Sequence, residues 1–208
     1  MLGLDAASWD ALRLSLLVSS VATLCAIPLA LWVAWLLARG RFRGKSVLSA
    51  FVHLPLVLPP VVTGYLLLIA FGRNGAIGRV LEATLGVSFA FHWTGAVLAA
   101  VIMGFPLMVR AMRLAIEAVD PKLEQAASTL GAGPFAVFTT VTLPLILPGI
   151  LAGSVMGFAK AIGEFGATIT FVANIPGQTQ TLPSAIYAFL QVPGGEGRAI
   201  ALVLWACS

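Results

Sequence analysis

Residues 12–37, LRLSLLVSSVATLCAIPLALWVAWLL, decide the fold: 26 residues carry one charge, Arg13. A helix needs about 20 apolar residues to cross a hydrocarbon core roughly 30 Å thick. This stretch meets that need, and Pro28 is expected to kink it. The rest of the chain agrees. Of its 208 residues, 60% are hydrophobic and 10% charged, where a globular domain carries about 25% charged residues. The mean hydropathy is +1.02. A soluble domain of this length could not bury so much apolar surface. The chain reads as a polytopic membrane protein. Its net charge of +4 then reflects basic loops on one side of a bilayer rather than nucleic-acid binding.

Working outward, a second span is expected over residues 47–71, through Leu54-Pro55-Leu56-Val57-Leu58-Pro59-Pro60; Pro55, Pro59 and Pro60 are expected to break it and free carbonyl groups, which favours a cavity-lining position. A third is expected over 94–115, with Pro106 inside it. A polar segment over 117–133 precedes a long apolar stretch, 135–173. Its first part, 134–143, reads as a short helix along the membrane surface. Pro144 and Pro148 are expected to break it from a span over 145–171. Residues 174–198, rich in Pro, Gly and Gln, read as an outer loop or a re-entrant hairpin. The last apolar run, 199–208, is about half the length a span requires. It reads as a final helix cut short, or else as a piece lying at the interface, with the first reading favoured. The expected fold is an all-α bundle of about five transmembrane helices forming one domain, 1–208, with a loop of its own character at 117–143.

Arg39, Arg41, Arg43 and Lys45 follow the first span, and Arg110, Arg113 and Lys122 follow the third. Both groups fall on one side if the N-terminus is outside, so that side is expected to be cytoplasmic. The opposite side holds Arg73, Arg79 and Arg198, partly balanced by Glu82 and Glu196. Trp9 and Trp93 are expected at the outer interface, Trp32 and Trp35 at the inner one. Asp5 and Asp10 stand where a signal peptide would carry basic residues. Cys25 and Cys207 lie in apolar runs and read as small packing residues, with no metal site.

The polar loop holds the clearest local signal. Asp120-Pro121 is a helix start, with Asp as N-cap and Pro in the first turn; Gly131 is a stop. Between them Leu123, Ala126, Ala127 and Leu130 recur at i, i+3, i+4, i+7, one narrow small-residue face. Glu124, Gln125 and Ser128 lie off it. Such a helix can seat its alanines in a partner's groove, or rest on lipid headgroups. Its short length and small face favour the groove.

The pattern Gln125-Ala126-Ala127, three residues, Gly131, nine residues, Val141-Thr142-Leu143-Pro144 resembles the loop signature of ABC importer permeases. That family usually has Glu where Gln125 stands and Ile where Val141 stands. The departure moves the expected docking weight to Ala126, Ala127 and Gly131, with Leu123, Leu130 and the adjacent Glu124 behind them. Further stretches resemble the molybdate branch of the MetI-like permeases. They are 53–62 (HLPLVLPPVV), Gly163-Glu164-Phe165-Gly166-Ala167-Thr168, Asn174-Ile175-Pro176-Gly177 and Pro193-Gly194-Gly195-Glu196. The resemblance implies a homodimer in the bacterial inner membrane. It also implies two cytoplasmic ATPase subunits that bind ATP-Mg, and a periplasmic molybdate-binding protein. It implies import of molybdate by alternating access. Sulfate, thiosulfate or tungstate are the near alternatives as cargo. The chain has no Gly-x-x-x-x-Gly-Lys-Ser/Thr phosphate loop, so it is not expected to be an enzyme or to carry a cofactor itself.

Other residues invite a role. Gly149, Gly153, Gly157 and Ala161 recur every four residues and let another helix approach closely, inside the subunit or at a dimer seam. Lys160 and Glu164, four apart inside an expected span, read as an ion pair that braces or supports a gate. A conduit must release its cargo, so weak donors suit it better than a strong anion site. Thr63, Ser154, Thr168 and Thr170 are the candidates, although each hydroxyl could serve its own helix backbone. His53 and His92 are too isolated to bind metal. An ATP-independent carrier or channel would have no need of the polar helix, and no paired aspartates or His-Glu-x-x-His suggests a membrane enzyme.

Overall fold

The computed structural model describes residues 6–86 and 88–207. Asp5 and the side chain of Cys207 lie outside the described residues. The described chain is helical: α1 (Ala6–Arg39), α2 (Lys45–Val57), α3 (Pro60–Phe71), α4 (Ala76–Leu85), α5 (Trp93–Ala118), α6 (Pro121–Thr129), α7 (Pro134–Val137), α8 (Leu143–Ile162), α9 (Gly166–Val172), α10 (Leu182–Leu190) and α11 (Glu196–Cys207). Among the described residues three helical stretches are long and apolar enough to cross a membrane, or four if the bent pair α2–α3 counts as one span. α11, with 12 residues, is too short to cross alone.

α1, α5 and α8 form the frame, each packed against the other two. α1 runs unbroken through Pro28 and buries Ala22, Ala26, Ala30 and Ala34 at four-residue spacing. Cys25 falls off this stripe and is exposed, outside the packing within the chain expected for it. α5 answers with Ala96, Ala99, Ala100, Met103, Met108 and Met112. Lipid tails are as apolar as these side chains, so burial from water drives little here. Close backbone approach and dispersion hold the helices, which explains the small residues.

The break expected in the second span is present: it is two helices, bent by 114° at Leu58 and Pro59, while Pro55 stays inside α2. Leu58 takes an extended ψ of 140°, as a residue before proline prefers, and Pro60 opens α3 in the first turn. Two other expectations about helix breaks need correction. Pro144 breaks nothing. Residues Pro134–Ile162 form one 29-residue helical stretch, and no separate surface helix covers 134–143. A π turn over Phe138–Thr142 widens the helix just ahead of Pro144. That relieves the clash a proline ring makes with the carbonyl four residues back. Thr139 and Thr140 hydroxyls donate to the carbonyls of Phe135 (3.0 Å) and Ala136 (2.6 Å). Finally, the span stops at Ile162 and not at 171. Gly163 caps it, and α9 restarts after a break at 163–165.

The connecting segments hold two helices that the sequence signals weakly. α4 is short and ends at Gly86, φ +65°. α10 lies inside the stretch expected as a loop or hairpin. Its Leu182 N–H donates to Ser15 Oγ of α1 at 2.6 Å, which satisfies a helix N-terminus from another element.

Candidate functional site

α6 forms where its caps predict. Asp120 Oδ1 accepts from Lys122 N–H at 2.9 Å, and Pro121 occupies the first turn. Gly131, at φ +89°, takes the left-handed turn that lets Ala132 N–H reach the Ala127 carbonyl at 3.1 Å. No residue of α6 is buried. Leu123 is exposed, and Leu130 is 89% exposed. Ala126 and Gln125 are exposed and Ala127 half-buried. Phe135, at the start of α7, is 80% exposed beside them. The sequence reading passes over Phe135 because it sits at the edge of an apolar run. Leu130 and Phe135 together give this end of the molecule an uncovered apolar face next to a polar helix.

Glu124 points the other way. Its Oε1 accepts from Thr142 Oγ1 at 2.8 Å and lies 3.4 Å from Arg39 Nη2. Arg39 Nη2 also donates to the Val119 carbonyl at 3.1 Å. These contacts place the end of α1, the end of α5 and the loop helix at one end of the bundle. Both basic clusters therefore share that end. Trp32 is exposed on α1, while Trp35 packs edge-on against Phe138 of the π turn with ring centroids 5.3 Å apart.

The second constellation lies at the break after α8. Lys160 Nζ donates to Glu164 Oε2 at 2.6 Å, and Glu164 Oε1 accepts from Ala167 N–H at 3.0 Å. The carboxylate thus pairs with α8 and caps α9 at once. Glu164 is 3% exposed, while the Lys160 side chain is 30% exposed. α9 packs against α3. A Cβ on Gly64 would stand 2.8 Å from Ala167 Cα, and one on Gly166 would stand 2.8 Å from Pro60 Cβ. The bent span therefore rests on the break that Glu164 organises.

The other singled-out residues separate. Gly149, Gly153 and Gly157 face α5 of the same chain, against Ala115 and Met108, and a Cβ on Gly157 would meet Met108 Sδ at 2.6 Å. Ala161 is buried in the same frame. Ser154 and Thr170 hydroxyls donate to Ile150 and Gly166 carbonyls, each at 2.8 Å. Thr63 and Thr168 are buried, and Thr63 Oγ1 has no hydrogen-bond partner among the described residues. His53 Nδ1 lies 2.7 Å from the Ser49 carbonyl.

Comparison with known proteins gives a consistent picture. The chain is 61% identical over 196 residues to the molybdenum transport system permease protein ModB of Escherichia coli (strain K12), covering 94% of this chain and 86% of that one. It is 59% identical over 197 residues to the same-named protein of Haemophilus influenzae (strain ATCC 51907 / DSM 11121 / KW20 / Rd), covering 95% and 86%. Among solved structures, a bacterial ABC transporter involved in the import of the acidic polysaccharide alginate superposes with a TM-score of 0.77 at 18% identity, covering 97% of this chain and 74% of that one. At that identity the likeness speaks for the fold. The profile described as "Binding-protein-dependent transport system inner membrane component" matches residues 26–206. By that match over most of its length, the chain belongs to the family of binding-protein-dependent transport system inner membrane components.

Proposed function

We propose that the chain is the permease subunit of an ATP-driven molybdate importer in the bacterial inner membrane. The observation that carries this is the exposed, doubly capped α6, set in a chain so similar to two molybdenum transport permeases. A short polar helix with no fully buried residue and a small alanine face suits a protein partner better than a lipid surface. Leu123, Gln125, Ala126, Ala127, Leu130 and Gly131 form the surface on which a cytoplasmic ATPase docks. ATP-Mg is bound and hydrolysed on that partner, and a periplasmic binding protein delivers the cargo. Two copies of the chain enclose the path. The shared end of the two basic clusters supports a cytoplasmic α6 and a periplasmic N-terminus.

The geometry suggests how force would travel. α7, the π turn and α8 are continuous, so a pull beside α6 acts on one rigid element. That element ends at the Glu164 break, where α9 holds the bent α2–α3 span. Movement at the docking end thus arrives where the backbone is already irregular and free to re-form. Irregular backbone at membrane depth is tolerated where protein or water covers it, which suits a gate beside a conduit.

The test is uptake of labelled molybdate by vesicles holding the full transporter. Ala127→Glu sets a charge on the docking face. It is expected to abolish both ATPase co-purification and ATP-driven uptake. Retained uptake would point to an ATP-independent carrier and overturn the reading. Strong inhibition of wild-type uptake by sulfate would overturn molybdate as the cargo.

A further inference from the structure

α6 has no fully buried residue, and of its apolar side chains only Ala127 is half-buried, so little apolar packing fixes it to the bundle. Its polar tie is Glu124. One carboxylate oxygen is shared by Thr142 of the π turn, at 2.8 Å, and Arg39 at the end of α1, at 3.4 Å. Thr142 is fully buried. Arg39 is anchored in turn by the Val119 carbonyl after α5. The end of α1 and the π turn ahead of α8 therefore meet on one acidic side chain of the docking helix, and Arg39 ties the end of α5 to them.

The Arg39 guanidinium is only half used on this edge. Nε–H and one Nη form a fork that matches both oxygens of a carboxylate. Here Nη2 is occupied, while Nε is buried and has no partner among the described residues. A buried donor left unpaired is costly, and it marks an arrangement that a small displacement would improve. Moving Glu124 toward Arg39 would fill the fork and release Thr142.

We propose that Arg39, Glu124 and Thr142 form a two-position latch, in which Glu124 exchanges Thr142 for the full Arg39 fork as α6 is pulled. Glu124 and Arg39 are then positioning residues. They carry the motion of α6 into α1 and α8 and touch neither cargo nor ATPase. The latch rests on the reading of α6 as an ATPase-docking helix. A latch needs two arrangements of similar energy. Thr142 sits on a π turn, an element frequent at functional sites.

The experiment uses the assembled transporter and reads three quantities: co-purified ATPase, ATP turnover, and molybdate taken up per ATP. Glu124→Gln keeps shape and removes charge; Arg39→Lys keeps charge and removes the fork. Both are expected to retain the ATPase and its turnover and to lose at least about tenfold in uptake per ATP, the scale of one charge-assisted hydrogen bond. The double variant is expected to lose no more than the worse single, as partners in one device do. Thr142→Val, which deletes a single hydroxyl, is the milder variant should either fail to assemble, and it is expected to lower the ratio as well. An unchanged ratio in any of these variants overturns the latch. So does loss of the ATPase from Glu124→Gln with Ala127→Glu still bound, which would make Glu124 a docking contact. Wild-type transporter that neither retains an ATPase nor responds to ATP would instead sink the functional reading beneath it.

Discussion

Glu164 shows how much one side chain can organise. Its two oxygens serve two helices, and it is nearly sealed from solvent. Replacing it by Ala strands the Lys160 ammonium and frees the Ala167 N–H. The expected loss is roughly 2–4 kcal/mol of stability, toward the low end because Lys160 is partly exposed. Glu164→Gln keeps an acceptor for Ala167 and is expected to cost less. Lys160→Met leaves a buried carboxylate without its cation, and the double change Lys160→Met with Glu164→Gln is expected to be milder than Lys160→Met alone. Thermal unfolding of the purified protein in detergent checks the order. A double variant as unstable as Lys160→Met would show that the pair is not the relevant unit. At this scale the sequence was informative where spacing alone determines contact. Two charges four apart were expected to meet on one helix face, and they do meet although the helix ends between them at Ile162. The second role of Glu164, as cap of α9, was missed because Gly163 and Gly166 were read as part of one apolar span over 145–171 and not as the stop and restart they mark.

Elements were legible in proportion to how local their causes are. Asp120, Pro121 and Gly131 act on their own neighbours, so α6 has the ends its sequence implies. Pro59 and Pro60 likewise set the bend between α2 and α3. Pro144 misled because its effect depends on the turn before it: a π turn with threonines at 139 and 140 absorbs the proline, and no residue pattern in that run announces one. The glycine stripe of α8 was ambiguous in sequence, since small residues say that something approaches closely but not what. In the structure α5 approaches. Gly149→Leu is therefore expected to force α8 from Ala115 and destabilise the chain by about 2 kcal/mol or more. A lower melting temperature with unchanged self-association is the expected result. Selective loss of dimer would place the stripe at a seam between copies instead.

At the scale of the whole molecule, one end gathers Arg39, the loop 40–44, α6 and Phe135, and the far end gathers α4 and α10. Side of the membrane follows from charge, and it can be measured. With Cys25 and Cys207 replaced by Ser, a single cysteine in place of Gly44 is expected to react with a membrane-impermeant thiol reagent in inside-out vesicles and not in intact cells. One at Asn74, between α3 and α4, is expected to show the reverse. Labelling of position 44 from outside would invert the topology and remove the proposed docking face from the cytoplasm.

Leu130 and Phe135 have a consequence beyond transport. With the proposed orientation, a subunit made in excess of its ATPase would carry two large apolar side chains in water, at the cytoplasmic end where proteases and chaperones sample newly made proteins. Exposure of that kind is the feature such systems use to recognise unfinished assemblies. The docking face would then also act as a checkpoint on subunit ratio, with orphan copies removed and completed transporters hidden from degradation.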